Sequence, residues 1–223
     1  MKYKYLCASE NGFVQQLAVA YVNHGYWFYV TGTIPNNKNA VLVDQKLIEK
    51  YNIAISKWAR ARRKVQGLAN VQYLRHHQRF ILIATRGEHE FFEQEGDTVK
   101  DIRREPILYA GYSIGYHQGV DRKWHASVRI HPKQYKLLKS YFVEIATRRP
   151  MGNLSRELGT LPFEPYVPVR RRQLLNIYRA VNRARKRAGY ELVPVTALRL
   201  RRCVIRPFEG RPVDGKSKLE VVN

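Results

Sequence analysis

Two cysteines, Cys7 and Cys203, are all that the 223 residues contain. Neither a disulfide framework nor a cysteine-built zinc site can be assembled from them. Both read as small apolar fillers in a reducing compartment. Long apolar runs are missing too, since none approaches the roughly 20 residues that span a bilayer. Met1-Lys2-Tyr3-Lys4-Tyr5 has no long apolar stretch behind it of the kind a secretion signal needs. The expectation is a soluble, cytoplasmic protein without a membrane partner. A phosphate-cradling Walker loop is absent, as is a dinucleotide glycine pattern, because Gly111 and Gly115 fall within a strand pattern. There is no serine nucleophile elbow, no His-apolar-His metal pair and no internal repeat.

Acid is the other scarcity. Against 40 Lys+Arg stand 18 Asp+Glu, a formal net charge of +22, and 25 of the basic residues are arginine. With 44% hydrophobic and 12% aromatic residues the chain can still bury a core, so it is not a disordered polycation. Such a potential attracts phosphate polymers or anionic surfaces. The arginine excess favours phosphate and base edges, which a planar guanidinium binds bidentately.

The pattern predicts an α+β fold: a mostly antiparallel sheet with helices packed on one face, plus a C-terminal basic helix and strand. A strand is expected over Gly25–Ile34, ended by Pro35-Asn36-Asn37. One long helix is expected from about Val41 to Gln66, because Leu47, Tyr51, Ala54, Trp58, Ala61 and Val65 step by four and three, with Gly67 as its stop. A hairpin follows over Asn70–Arg86 around His76-His77-Gln78. Phe80–Ala84 is apolar on both faces, which places it centrally with cover on each side. Ile107–His117 and Lys123–Ile130 form a second hairpin around Gly119-Val120-Asp121, and Pro132 opens a helix with Tyr135, Leu138, Phe142 and Ile145 inward. The domain reading is a main unit 1–149, a Pro/Gly-rich linker 150–169, a basic helix-and-strand lobe 170–208 packed on the main unit, and a flexible tail 209–223.

Three features can carry chemistry. The segment 170–187 holds eight basic residues and no acid. Leu174, Leu175, Tyr178 and Val181 would dock it, leaving Arg172, Asn176, Arg179, Arg183 and Arg187 for phosphates and base edges. Arg60 and Arg63, in the last turns of the expected long helix, extend the candidate contacts. In the strand 123–131, Lys123, His125, Ser127, Arg129 and His131 alternate with Trp124, Ala126, Val128 and Ile130. His125 and His131 can act as general acid and base on a phosphodiester, although about 20 Å of strand rise separates them. On the partner strand Tyr109, Gly111, Ser113, Gly115 and His117 share one face, with Tyr112 and Tyr116 on the other. Tyrosines beside cations suit stacking on unpaired bases. Third, Glu88, Glu90, Glu93, Glu95, Asp97, Asp101 and Glu105 form an acidic island around His89. Such carboxylates can hold Mg²⁺, or simply pair with Arg103 and Arg104. The two rings of Phe91 and Phe92 should pin that segment to the core.

The expectation is therefore a nucleic-acid-binding protein that needs no cofactor and prefers RNA or unpaired DNA. The alternative is a phosphodiesterase or endonuclease using His125, His131, Tyr112, Tyr116 and Lys123.

Overall fold

Phe80–Ala84 takes the central place its two-sided apolarity demands. In the computed structural model, which describes residues 3–119, 122–161, 168–198, 200 and 205–209 (168–170 as backbone only), β3 (Arg79–Thr85) is hydrogen-bonded on one side to β2 (Val71–His76) and on the other to β1 (Tyr26–Thr33). The short β4 (Lys100–Asp101) completes a four-stranded antiparallel sheet in the order β2-β3-β1-β4. Both faces are covered. Tyr73, Leu82 and Ala84 pack with Tyr51, Ile53 and Phe91 on one side. Tyr29, Leu74, Ile81 and Ile83 pack on the other against Phe13, Leu17 and Tyr21.

These last residues belong to α1 (Glu10–Gln15), capped by Ser9 and continued as a π-helical stretch Gln16–Tyr21. The helix is buried on two sides, because a second antiparallel sheet closes the same core with Ile107, Tyr109, Tyr112, Ile114 and Val128. That sheet is β5 (Ile107–Tyr109), β6 (Tyr112–Gln118) and β7 (Trp124–Ile130). The α+β class and antiparallel pairing are as expected, with the strands divided into two sheets around one helix.

Three local expectations need correction. The stretch 107–117 is two strands, because Ala110 and Gly111 both have positive φ (44° and 80°), the signature of a two-residue type I′ turn. Tyr109 and Tyr112 are consequently paired on the same, core-facing side.

The single helix 41–66 is two: α2 (Ala40–Lys50), capped by Asn39, and α3 (Lys57–Val65), capped by Ser56. Tyr51 and Ile53 are both buried, and residues two apart lie about 200° apart on a helix. Burying both requires the chain to leave the helix, which it does at Asn52 with φ of 46°.

The span 150–169, expected as a Pro/Gly-rich linker, contains a helix within its described part. It carries α6 (Met151–Gly159), which buries Leu154 and Leu158 one turn apart, with Pro150 just outside its first turn. With α5 (Pro132–Ile145) and α7 (Pro168–Arg187) it forms one helical core built on Phe142, Ile145, Leu174, Ile177 and Val181. The centre of the expected 119–121 turn, most of the strand expected at the end of the 170–208 lobe, with Cys203, and the tail from 210 lie outside the described residues.

Candidate nucleic-acid interface

The amphipathic division of α7 determines which of its cations can meet a ligand. Leu174, Ile177 and Val181 are buried against α5 and α6. Arg172, Asn176, Arg179, Arg183 and Arg187 are exposed on the opposite side with Lys186. At 1.5 Å per residue, Arg172 to Arg187 spans about 22 Å. Among the described residues the ion pairs are Arg75–Asp44, Lys100–Glu105, Arg103–Asp101, Arg148–Glu144, Arg149–Glu157 and Arg206–Glu209. None involves α7. The exposed cations therefore carry their charge uncompensated by a contacting carboxylate of the described residues.

Arg185 is the exception on this helix. It is only 3% exposed. Its Nε donates to Glu191 O at 2.5 Å, and Nη1 donates to Ala146 O at 2.6 Å and Arg149 O at 3.2 Å. A guanidinium placed there satisfies carbonyls at the end of α5 and interacts favourably with that helix's dipole. It is an anchor, and α7 has one fewer contact cation than its sequence suggests.

A side-chain amide joins the helix to the second sheet. Gln173 accepts from Ile130 N at 2.9 Å and donates to Ile130 O at 3.3 Å, imitating a neighbouring strand on the outer edge of β7. Asn23 does the same job further along, accepting from Ala126 N at 2.7 Å. Covering an edge strand removes a template for aberrant pairing. It also sets Arg172 and Arg129 each one residue from the clasped pair.

The register of β6 and β7 sorts the remaining candidates by face. Tyr112 opposes Ile130, Ile114 opposes Val128 and Tyr116 opposes Ala126 on the core side. Ser113 opposes Arg129, Gly115 opposes Ser127 and His117 opposes His125 on the outer side. Arg129 Nε donates to Ser127 Oγ at 3.3 Å. The Tyr112 ring is buried on the core side, and its hydroxyl donates to Asn11 Oδ1 at 3.4 Å at the edge of that core. His131 lies past the end of β7, at the start of α5, where its N–H donates to Gly111 O. Tyr112 and Tyr116 are thus separated from His125 by the thickness of the sheet. Of the residues expected to act together on a phosphodiester, Tyr112 and Tyr116 therefore do not share a face with His125, and His131 lies beyond the strand that carries it.

The pair that does converge is His117 and His125, directly opposite across the two strands. In the sequence His117 stands only as part of a small-residue face, since its register depends on the intervening loop. Its ring folds over Gly115, where an added Cβ would come within 2.8 Å of Nε2. Burial, then the nearby Arg129 charge, hold the His117 imidazole below its ordinary pKa.

Tyr116 belongs to a different construction. The Arg103 guanidinium lies 4.7 Å from the Trp27 ring centroid, Trp27 lies 5.4 Å from Tyr116, and Tyr116 stacks on Trp124 at 5.6 Å and 25°. The series runs from one planar cation to an indole that is 53% exposed.

Arg60 and Arg63, expected as contacts, are half-buried. Arg60 Nη1 donates to Ile55 O at 2.7 Å, and Arg63 turns toward an acidic hollow lined by Glu88, Glu90 and Glu93. His89 in that hollow is held below its usual pKa by burial and by Arg63, and its Nδ1 accepts from Phe91 N to cap α4 (Glu90–Glu95). Phe91 is buried and Phe92 packs edge-on against Phe28, so the rings do pin this segment. Among the described residues no group of three or more His, Cys, Asp or Glu is arranged to hold a metal ion.

An open cavity of about 810 Å³ lies between α1, the β5–β6 turn and α5. Its walls include Ile130, Leu137, Leu138, Leu161 and Leu174, and among the described residues Glu10 is the one charged residue lining it. That chemistry does not suit a polyanion. Among the described residues no helix is long and apolar enough to cross a membrane. Compared with known proteins, the chain matches no family model, no curated protein and no solved structure.

Proposed function

We propose that this protein binds nucleic acid, with the exposed side of α7 as its principal phosphate contact and Arg129 of the adjoining β7 as an extension. The carrying observation is the uncompensated stripe Arg172, Arg179, Arg183 and Arg187, with Asn176 among them, on a helix fixed by a buried apolar face, the Arg185 anchor and the Gln173 clasp. Rigid placement lowers the ordering cost of each contact. Unpaired strands, RNA or DNA, are the preferred ligand, because the Trp124-ended stack offers a base a preordered ring on which to continue.

Binding of this kind weakens as salt rises. The slope of log K against log salt is about −0.7 per phosphate neutralised on a single strand. Arg179→Ala with Arg183→Ala should therefore flatten it by about 1.4, read by fluorescence anisotropy on a labelled oligonucleotide across a salt series. An unchanged slope would remove α7 from the interface.

A second reading has one specific observation behind it. His117 and His125, opposed across β6 and β7 near Arg129, are suited to metal-free transesterification of RNA. One imidazole would take the 2′-hydroxyl proton as that oxygen attacks phosphorus, and the other would protonate the departing 5′-oxygen. Cleavage of labelled RNA that persists in EDTA and disappears in both His117→Ala and His125→Ala supports it. Intact RNA after long incubation with wild-type protein refutes it.

A further inference from the structure

Helix α3 is turned inside out. Trp58, Ala61 and Val65 fall on one side of it and all three are exposed, Trp58 by 68% and Val65 by 89%. The half-buried side carries Ala59, Arg60 and Arg63. No residue of the helix is fully buried. An amphipathic helix ordinarily places its apolar stripe against the core.

Specific bonds hold it in this orientation. Arg60 donates to Ile55 O at 2.7 Å, and Asn70 Nδ2 donates to Arg60 O at 3.1 Å. Rolling α3 to bury Trp58 would break both. The surroundings of the exposed stripe are cationic: Lys57, Arg62 and Lys64 are exposed, the Lys57 ammonium lies 5.0 Å from the Trp58 ring centroid, and the helix contains no acid. The nearby carboxylates Glu88, Glu90 and Glu93 line a hollow with Arg63, on the inner side.

We propose that α3 is a second nucleic-acid contact, in which Trp58 stacks on an unpaired base while Lys57, Arg62 and Lys64 engage the flanking phosphates. The proposal rests on the nucleic-acid reading above and adds to it a base-stacking site away from α7. Charge complementarity selects this occupant, since an exposed indole among cations suits a stacked base on an anionic backbone. A lipid surface is the poorer fit. The stripe offers one aromatic and two small side chains on a nine-residue helix, little apolar area to insert.

The test uses the full chain and a short labelled single strand, compared with an abasic strand of the same length. Trp58→Ala should weaken binding to the base-bearing strand about tenfold, the size of one base–aromatic stack. Trp58→Phe should restore most of that loss, and binding to the abasic strand should be unchanged in both. The thermal midpoint should not move, since the side chain is exposed. Equal affinity of wild type and Trp58→Ala for the base-bearing strand overturns the proposal. So does Trp58-dependent binding to anionic phospholipid vesicles with no Trp58 effect on oligonucleotide. Arg179→Ala/Arg183→Ala measured alongside separates the failures. If that pair weakens binding and Trp58→Ala does not, only the stacking contact falls. If wild type ignores both strands at low salt, the whole reading falls.

Discussion

Asp44→Asn tests the polar joint that fastens α2 to the sheet. Asp44 has no solvent exposure, and its carboxylate receives Arg75 Nε on Oδ1 at 2.8 Å and Arg75 Nη2 on Oδ2 at 2.8 Å. Tyr73 O–H donates to the same Oδ1 at 2.5 Å. Arg75 Nη1 meanwhile donates to His77 O at 2.6 Å, stabilising the β2–β3 turn at a residue with φ of 51°. The amide keeps the size of the carboxylate but removes its charge, leaving the guanidinium buried without a counter-ion. Breaking one partner of such a pair costs about 3–5 kcal/mol. Against a total stability of about 5–15 kcal/mol, that is a fifth or more of what a domain has.

Urea unfolding followed by tryptophan fluorescence should show a lower midpoint with an unchanged m-value, and a loss in that range. Asp44→Leu combined with Arg75→Met should recover most of it, because no buried charge then lacks a partner. A loss below about 1 kcal/mol for Asp44→Asn, or a double variant no better than the single one, would refute the account.

Other consequences follow from the same contacts. Gln173→Ala strips the amide from the Ile130 N–H and C=O and should cost about 1–3 kcal/mol, seen in the same urea titration. A cost near zero would mean that the edge is satisfied by other groups. Burial, then His77, lowers the His76 pKa despite an opposing contribution from Glu10. Burial and a neighbouring arginine likewise lower His89 and His117. For a base with a lowered folded pKa, the unfolded chain takes the proton first. The stabilisation is therefore complete above about pH 6.5 and declines as pH falls from there toward the lowered folded values. The thermal midpoint should drop between pH 7.5 and pH 5.5, and His76→Gln should flatten that drop. A midpoint that rises on acidification contradicts the sign.

Much of the secondary structure was legible because its determinants are local. Pro132 and the inward-facing Phe142 and Ile145 predicted α5, and two-sided apolarity placed β3 at the centre of its sheet. The exposed face of α7 follows from its 3.6-residue periodicity. The errors arose where distant residues intervened. The periodic stripe from Leu47 to Val65 promised one helix, but the core took Tyr51 and Ile53 together and broke it. The Ala110-Gly111 turn leaves little local signal, because Ala rarely adopts the positive φ it has here. Leu154 and Leu158, one turn apart between Pro150 and Pro162, were the signal for α6 that the glycines and prolines obscured.

By itself the sequence determined the charge, the antiparallel α+β class and which side of α7 carries arginine, since composition and short-range periodicity suffice for these. Tertiary packing decided which cations remain available. It sent Arg185 inward to the carbonyls at the end of α5 and Arg60 to Ile55 O, set His117 opposite His125, and left Trp58 in solvent. Each of those outcomes depends on which other chain segment lies within a few ångströms, and periodicity along a single segment carries no record of that.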